Sequence, residues 1–334
     1  MNKLTLLALV LGLTLLQSCK HDGTEPENSD NESNVPTLDG GSFFMYYYPT
    51  HSVFTSTDGI SLKKSDTCMS YPNMIAADAA GTLFSPVFGK KPAVSKSTDG
   101  GKTWSEVPSN ATEGDWNSYV IAAGAANSIY MMSNTGTFLV SKDGGQSWEK
   151  RTTPCAKDTI HSSPAFGMEA WLAVSADGKK ILAQAWYFEE TVLSVSEDEG
   201  MTWTAITAPT ERNSSRGIGF LGNSIMYASY DQVFTTSDNG KTWNTPTPAN
   251  LYAPNSESSY YGYRHFITDG KQYIMGVEVP SAETSRNDKN KYPGAIFVSN
   301  DGGKTFETKP FPYNVDPTPT TSDEYVWLTW IKKQ

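Results

Sequence analysis

The chain has 334 residues and a formal net charge of −10. So acidic a chain lacks the basic surface that a phosphate backbone requires, and we expect no nucleic-acid partner. Its four histidines and three cysteines lie far apart, without Cys-x-x-Cys or His-x-x-x-His spacing. The sequence therefore predicts no metal site, and nothing in it indicates a cofactor.

The first segment, residues 1–18, is an apolar run with a lysine near its start. It is too short to span a bilayer and is typical of a secretory signal peptide. Its end, Leu16-Gln17-Ser18-Cys19, resembles a bacterial lipobox, which implies that Cys19 is lipidated and anchors the protein without a transmembrane helix. The alternative is an ordinary signal peptide followed by an incidental cysteine.

Residues 19–40 form the second segment, in which Asp, Glu, Asn, Ser, Pro and Gly dominate. A segment so poor in apolar residues cannot bury enough surface to fold, so we predict a disordered tether. Acidic residues directly after the lipidated cysteine resemble the surface-export signal of Bacteroidetes lipoproteins. This resemblance implies an outer-membrane protein exposed at the cell surface; the alternative is a plain linker on a periplasm-facing lipoprotein.

Through the third segment, residues 41–334, runs a repeated pattern, Ser/Thr-x-Asp-x-Gly-x-Thr/Ser-aromatic. We call its copies the boxes. Their aspartates and closing aromatic residues are Asp99 and Trp104, Asp143 and Trp148, Asp198 and Trp203, Asp238 and Trp243, and Asp301 and Phe306. A degenerate copy around Asp58 lacks the aromatic residue.

Each part of a box suits a turn between two strands. The Asp carboxylate can accept hydrogen bonds from its own turn, the Gly permits positive φ, and the aromatic ring begins the next strand. A β-like run precedes every copy, as Phe138-Leu-Val-Ser precedes the box of Asp143. The pattern resembles the Asp box of sialidase-type, or BNR-repeat, β-propellers, in which the box has a structural role.

The boxes recur at intervals of roughly 40 to 60 residues, the size of a propeller blade. Four short strands can be read in a unit, for example at 119–123, 128–132 and 137–140 followed by the strand after Trp148. We therefore predict an all-β, six-bladed propeller of four-stranded antiparallel blades. Residues 325–331 supply the missing first strand of the first blade. Seven blades are the alternative.

Sialidase activity is not expected, although the boxes resemble that family. Its members hold the substrate carboxylate with three arginines, the first in a short motif before the first box. This chain has no arginine before Arg151. Neither lysine nor tyrosine reproduces a bidentate guanidinium clamp, and no motif carries over an acid/base Asp or a Tyr/Glu nucleophile pair.

If boxes join third and fourth strands on one face, the ligand face is built by the other connections. Aromatic and polar residues concentrate there, as expected of a sugar-binding surface, although many could equally pack between blades. The candidate ligand-binding residues are Trp116, Trp186, Glu189, Arg216, Tyr230, Tyr260, Tyr263, Arg264 and His265. The polar insertion 280–293 is either a lid or a tolerated surface loop.

These features favour a monomeric cell-surface lipoprotein that binds a carbohydrate or glycoprotein ligand and meets the membrane only through its lipid. One alternative is an exo-acting glycoside hydrolase that uses carboxylates such as Glu189, Glu190 or Asp231. A second is a protein-binding assembly factor of the BNR type, whose basic patch has no counterpart in this chain. A disulfide between Cys68 and Cys155 is permitted by export but not expected from their separate blades.

Overall fold

Six antiparallel sheets arranged as a propeller make up the structure, a computed structural model of the chain. The part of the chain that it describes contains strands and no helices, so the predicted all-β, six-bladed propeller is confirmed. The described residues are 41–47, 52–58, 61–65, 74–87, 91–111, 119–133, 137–152, 154, 171–175, 177–187, 190–209, 215–229, 232–244, 263–279, 295–310 and 326–332.

Blades 1 to 3 each contain four strands, which run in the following order from the innermost outwards. Blade 1 comprises β23 (Val326–Lys332), β1 (Gly41–Tyr47), β2 (Ser52–Ser56) and β3 (Lys63–Ser65). Blade 2 comprises β4 (Ala76–Ala77), β5 (Leu83–Val87), β6 (Ala93–Ser97) and β7 (Ser105–Glu106). Blade 3 comprises β8 (Tyr119–Ala123), β9 (Ile129–Ser133), β10 (Phe138–Ser141) and β11 (Glu149–Arg151).

Blades 4 to 6 follow the same order, except that blade 5 has three strands. Blade 4 comprises β12 (Trp171–Val174), β13 (Ile181–Tyr187), β14 (Glu190–Ser196) and β15 (Thr204–Ile206). Blade 5 comprises β16 (Gly217–Leu221), β17 (Ser224–Ala228) and β18 (Val233–Thr236). Blade 6 comprises β19 (Tyr263–Thr268), β20 (Ile274–Val279), β21 (Ala295–Ser299) and β22 (Glu307–Pro310).

The last strand of the chain closes the ring. β23 pairs antiparallel with β1 along its whole length, from Gly41 opposite Lys332 to Tyr47 opposite Val326. The C-terminal strand therefore supplies the innermost strand of blade 1, as predicted. β20 ends at Val279 and β21 begins at Ala295, so the insertion lies between second and third strands. Residues 280–294 themselves are outside the described residues.

Within the described residues, the fourth strand of blade 5 is represented by one bridge, where the sequence predicts a strand from Trp243. The amide of Thr235 donates to the carbonyl of Asn244 at 3.1 Å, and the amide of Asn244 donates to the carbonyl of Thr235 at 2.8 Å. Residues 245–262, which follow this bridge, are outside the described residues.

Alternating strand directions give the propeller two distinct faces. First strands run towards the face that carries the boxes, which we call the box face, and second strands run back towards the other, the loop face. Turns between first and second strands lie on the box face with the boxes. The longer connections, such as 152–170 between β11 and β12, join strand ends on the loop face.

A separate hydrophobic cluster fills each of the six seams between neighbouring blades. Blades 3 and 4, for example, meet through Tyr130, Phe138 and Ile181, with Trp203 packed against them. Every box aromatic packs into the seam with the preceding blade. In chain order these residues are Trp104, Trp148, Trp203, Trp243 and Phe306. At the degenerate box, Leu62 takes this position in the seam between blades 6 and 1.

Candidate functional site

The boxes share one hydrogen-bond pattern, of which the box in blade 2 is an example. The hydroxyl of Ser97 donates to Oδ1 of Asp99 at 2.8 Å and accepts the amide of Gly101 at 2.9 Å. The amide of Thr103 donates to Oδ1 of Asp99 at 2.9 Å, and its hydroxyl donates to Oδ2 at 2.6 Å. The degenerate box keeps part of this pattern, since Ser56 and the amide of Ser61 both donate to Asp58.

These bonds hold the box carboxylates in their ionised form. Hydrogen bonds from the side chain and backbone of Thr202, and then from Ser196, lower the pKa of Asp198 to about 2. The equivalent bonds from Thr242 and Thr236 lower the pKa of Asp238 to about 2, and the pKa of Asp99 falls further still. A general acid needs a raised pKa, so the boxes are unsuited to that role.

The glycine at the fifth position of each complete box lies against the preceding blade. A Cβ on Gly200 would come within 2.3 Å of Cε1 of Phe138, and one on Gly240 within 2.1 Å of Cγ2 of Ile206. Two box tryptophans add polar links to the preceding blade: Nε1 of Trp203 donates to the carbonyl of Thr152 at 3.0 Å, and Nε1 of Trp243 donates to the carbonyl of Thr207 at 2.9 Å. The boxes therefore join neighbouring blades, which is a structural role.

A second set of aspartates on the box face was not singled out from the sequence. Asp78, Asp177 and Asp269 lie in the turns between first and second strands. Asp78 is buried; its Oδ1 accepts the amides of Ala80 and Thr82 at 2.9 Å, and its Oδ2 accepts the amide of Asn127 in blade 3 at 2.7 Å. Each of these aspartates precedes a glycine by one to three positions, a turn signal that was available in the sequence.

The propeller axis holds a cavity of about 410 Å³ lined by the innermost strands of all six blades. Its lining runs from Trp171 and His265, towards the loop face, to the first turns of the box face. The rings of Trp171 and His265 lie 4.5 Å apart between centroids, although β16 separates their strands. Trp171 was not among the predicted residues, because its contact with a strand two blades away leaves no local signal.

His265 is a predicted ligand residue that the structure places in the interior. It is 6% exposed, and its Nδ1 accepts the backbone amide of Leu328 at 3.0 Å. Leu328 belongs to the closing strand β23, so the imidazole links blade 6 to blade 1. An Nδ1 that accepts carries no proton, which fixes the neutral ring as the Nε2-protonated tautomer.

Arg216 is half-buried and immediately precedes β16 at the loop face. Its backbone amide donates to the carbonyl of Ala228 at 2.7 Å, and its carbonyl accepts the amide of Phe266 at 2.8 Å. This second bond joins the innermost strands of blades 5 and 6. The backbone thus positions Arg216 at the loop-face end of β16, the innermost strand of blade 5.

The remaining candidates fall on the loop face by chain order. Trp186 lies near the end of β13, and Tyr263 and Arg264 begin β19; the side chains of Trp186, Tyr263 and Arg264 are outside the described part of the structure. Connections that join loop-face strand ends contain the rest. These residues, together with the three cysteines, are also outside the described part: Trp116, Glu189, Tyr230, Tyr260, Cys19, Cys68 and Cys155.

The described residues contain neither a metal-binding cluster nor a membrane-spanning helix. Within them, no group of three or more His, Cys, Asp or Glu side chains is placed to hold a metal ion. Nor does the described part contain a helix with the length and hydropathy needed to cross a membrane.

Comparisons with known proteins relate parts of the chain to several propellers. The Sortilin-Vps10 family (sortilin, neurotensin receptor 3) matches residues 93–214. An oligoxyloglucan-reducing end-specific xyloglucanase of Emericella nidulans is 27% identical over 186 residues, which are 54% of this chain and 19% of that enzyme. The chain therefore spans about a fifth of the length of this curated relative.

Among solved structures, a chain of a nidogen/laminin complex superimposes with a TM-score of 0.56 at 8% identity, covering 87% of this chain and 99% of that one. TolB from Acinetobacter baumannii gives a TM-score of 0.56 at 12% identity, covering 89% of this chain and 68% of that one. These likenesses show the fold alone. The sequence match adds that about half of this chain is similar to part of a protein named as a xyloglucanase.

Proposed function

We propose that the protein is a carbohydrate-binding β-propeller, exported and lipid-anchored at Cys19 in the outer membrane, which captures a glycan or glycoprotein at its loop face. The observation that carries this proposal is a difference in composition and bonding between the two faces. The box face is occupied by turns whose carboxylates are bonded within the fold. By chain order, most of the predicted aromatic and polar candidates belong to connections between strand ends of the loop face.

The similarity to a xyloglucanase supports a carbohydrate as the ligand class. Aromatic side chains such as Tyr260 and Tyr263 suit the apolar face of a sugar ring, and neighbouring polar groups suit its hydroxyls. Binding is favoured over hydrolysis because the chain has no arginine before Arg151 and no motif for an acid/base pair. The carboxyl groups with a shifted pKa in the described part are all shifted downwards. None of these groups is suited to be a general acid.

The same similarity gives a second candidate, glycoside hydrolysis, because the relative is named for that activity. The carboxylates available for it are Glu189, Glu190 and Asp231, which chain order places at or beside the connections of the loop face. Two such groups would have to flank the bond at about 5–10 Å.

A glycan array that includes xyloglucan oligosaccharides, probed with the full chain, tests both candidates. We expect binding that weakens by about 1–2 kcal/mol in Tyr263→Ala through lost stacking area. Met201→Ala on the opposite face serves as the control and should bind as the wild type does. Incubating each hit with stoichiometric protein then separates the two functions. If the wild type releases sugar and Glu189→Gln or Asp231→Asn does not, the function is hydrolysis and not binding alone. If no glycan on the array binds, the ligand is a protein.

A further inference from the structure

The innermost strands direct their side chains into the seams between blades and their peptide edges towards the propeller axis. On β8, Ile121 packs into the seam with blade 2, whereas Val120 and Ala122 pack into the seam with blade 4. On β12, Leu172 packs towards blade 3 and Ala173 towards blade 5. The wall that these two strands give to the axial cavity is therefore formed largely by main chain.

Alternate residues of each innermost strand direct their peptide N–H and C=O groups at the axis, because the strand is paired on one side only. The amide of Gly124 donates to the carbonyl of Ser128 at 3.1 Å, and the amide of Ser175 donates to the carbonyl of Lys180 at 2.9 Å. The amides of Gly124 and Ser175 therefore face their own blades, as do those of residues two and four positions before them. The peptide groups of the residues in between face the axis. On β8 and β12 these residues are Ile121, Ala123, Leu172 and Val174.

Part of the peptide edge around the axis is bonded within the protein. The amide of Phe266 donates to the carbonyl of Arg216 at 2.8 Å, and the amide of Leu328 donates to Nδ1 of His265 at 3.0 Å. In the described part of the chain, the axis-facing peptide groups of β8 and β12 make no such bond across the axis. Buried peptide groups are costly without a partner, so this part of the wall suits a ligand with several hydroxyl groups.

The charged residues of the cavity lining lie in turns at its box-face end, where both carboxylates are engaged. Asp78 accepts the three amides described above, and Oδ1 of Asp269 accepts the amides of Lys271, Gln272 and Tyr273 within 3.0 Å. Towards the loop face the lining contains the neutral ring of His265. A charged ligand group would lose its hydration there without gaining a charged partner from the lining. The cavity therefore favours a neutral ligand.

We infer that the axial cavity receives one neutral sugar ring, the terminal residue of a glycan that enters end-on from the loop face. This inference rests on the proposed binding of a glycan at the loop face and specifies its mode. The volume of about 410 Å³ lies within the range of roughly 300–1,000 Å³ that small-molecule sites have. Half-buried Trp171 and Trp330 in the lining provide apolar surface for a sugar ring. Six strands enclose the cavity, so the middle of a long glycan cannot enter it from the side.

Amide chemical shifts of the full chain, followed by NMR, test the location of the sugar. The protein is titrated with xyloglucan oligosaccharides and with each glycan that binds on the array. We expect the amide signals of Ala123, Leu172 and Val174 to shift and to saturate. The amides of Ala122 and Ala173 are matched controls, because they face their own blades, and they should shift several-fold less. Trp171→Phe should weaken the binding several-fold, and the shift map of the wild type needs no substitution.

A second titration tests the preference for a neutral ring. Glucose is compared with glucuronic acid, and galactose with galacturonic acid, because each pair differs by one carboxylate. We expect a neutral sugar to shift the same axis-facing amides at millimolar concentration and its acid to bind roughly ten-fold more weakly or less. An acid that binds the axial site as tightly as its neutral counterpart would overturn this preference.

The two titrations separate failure of the axial site from failure of glycan binding. Shifts confined to loop-face residues such as Tyr263, with axis-facing amides unchanged at saturation, would overturn the axial site and leave glycan binding standing. Unchanged spectra together with a glycan array that shows no binding would overturn both.

Discussion

The carboxylate of Glu199 in blade 4 lies 2.8 Å from Nζ of Lys142 in blade 3, and this contact crosses the seam between the two blades. Glu199 has a φ of 58° at a position where other boxes have glycine or asparagine. Its carbonyl also accepts a guanidinium bond from Arg151 at 2.6 Å. The charged contacts thus accompany a backbone conformation that glutamate otherwise disfavours.

Replacing Glu199 by glycine should therefore change the free energy of unfolding by a small amount that depends on salt. The variant gains roughly 1 kcal/mol of relieved strain and loses two partly exposed ion pairs, with Lys142 and with Arg151 at 3.7 Å, each worth about 0.2–1 kcal/mol. Raising NaCl from about 0.05 to 1 M should raise the free energy of unfolding of the variant relative to that of the wild type. Screening weakens the ion pairs of Glu199, which only the wild type has. Urea titrations at both salt concentrations measure this shift.

Asn239→Gly is the matched control, since Asn239 occupies the same box position in blade 5 with a φ of 55° and carries no charge. Its effect should not depend on salt. Equal salt responses in the two variants would show that the ion pairs contribute nothing measurable.

A second prediction concerns the close approach of box glycines to the preceding blade. Gly200→Ala should destabilise the protein by about 2–4 kcal/mol, because a methyl group would meet the Phe138 ring and the residue has positive φ. Gly100→Ala has similar φ but open space around the new methyl group, so about 1 kcal/mol is expected. Thermal unfolding of both variants measures the difference in stability. Equal losses of stability in the two variants would contradict close packing of Gly200 against the Phe138 ring.

A third prediction is a loss of stability in acid that originates in the boxes. An unfolded Asp titrates near pH 3.9 and the folded pKa of Asp198 and Asp238 is about 2. Because folding lowers these pKa values, their contribution to stability is complete above about pH 4 and is lost as the pH falls towards 2. Urea titrations from pH 7 to 2.5 measure the free energy of unfolding of the wild type and of Asp238→Asn. The difference between the two should become smaller below pH 4, and a difference that does not change with pH would rule out this linkage.

The fourth prediction concerns His265 and the closing strand. His265→Leu leaves the Leu328 amide without its acceptor and should cost about 1–3 kcal/mol. His265→Asn offers Oδ1 near the position of Nδ1 and should recover part of that loss. Urea midpoints compare the two variants. If both unfold like the wild type while glycan affinity falls, the imidazole serves the ligand and not closure.

Much of the fold could be predicted because the boxes repeat a local signal. Each combines a turn residue, a glycine and an aromatic ring within one short stretch, and the distance between copies gives the blade size. The pairing of β23 with β1 was predictable for a different reason, since an apolar strand without a partner needs one.

The axial site could not be predicted in the same way. Trp171 and His265 touch although they lie almost a hundred residues apart, and nothing near either residue records the contact. His265 was selected for its place in an aromatic stretch, whereas the geometry of its Nδ1 depends on the last strand of the chain. The candidates Trp116, Glu189, Tyr230 and Tyr260 remain predictions, because they lie outside the described residues.

Closure by β23 also sets the order in which the chain can reach its native state. The seam between blades 6 and 1 contains Leu328 together with Phe43 and Met275, so residues from both ends of the propeller must meet to form it. A chain that emerges from its N-terminus can begin to assemble its early blades before its last strand is available. Blade 1, the first to be synthesised, is therefore the last to be completed. Until β23 pairs with β1, the inner edge of β1 is unpaired and Phe43 and Met45 lack part of their packing.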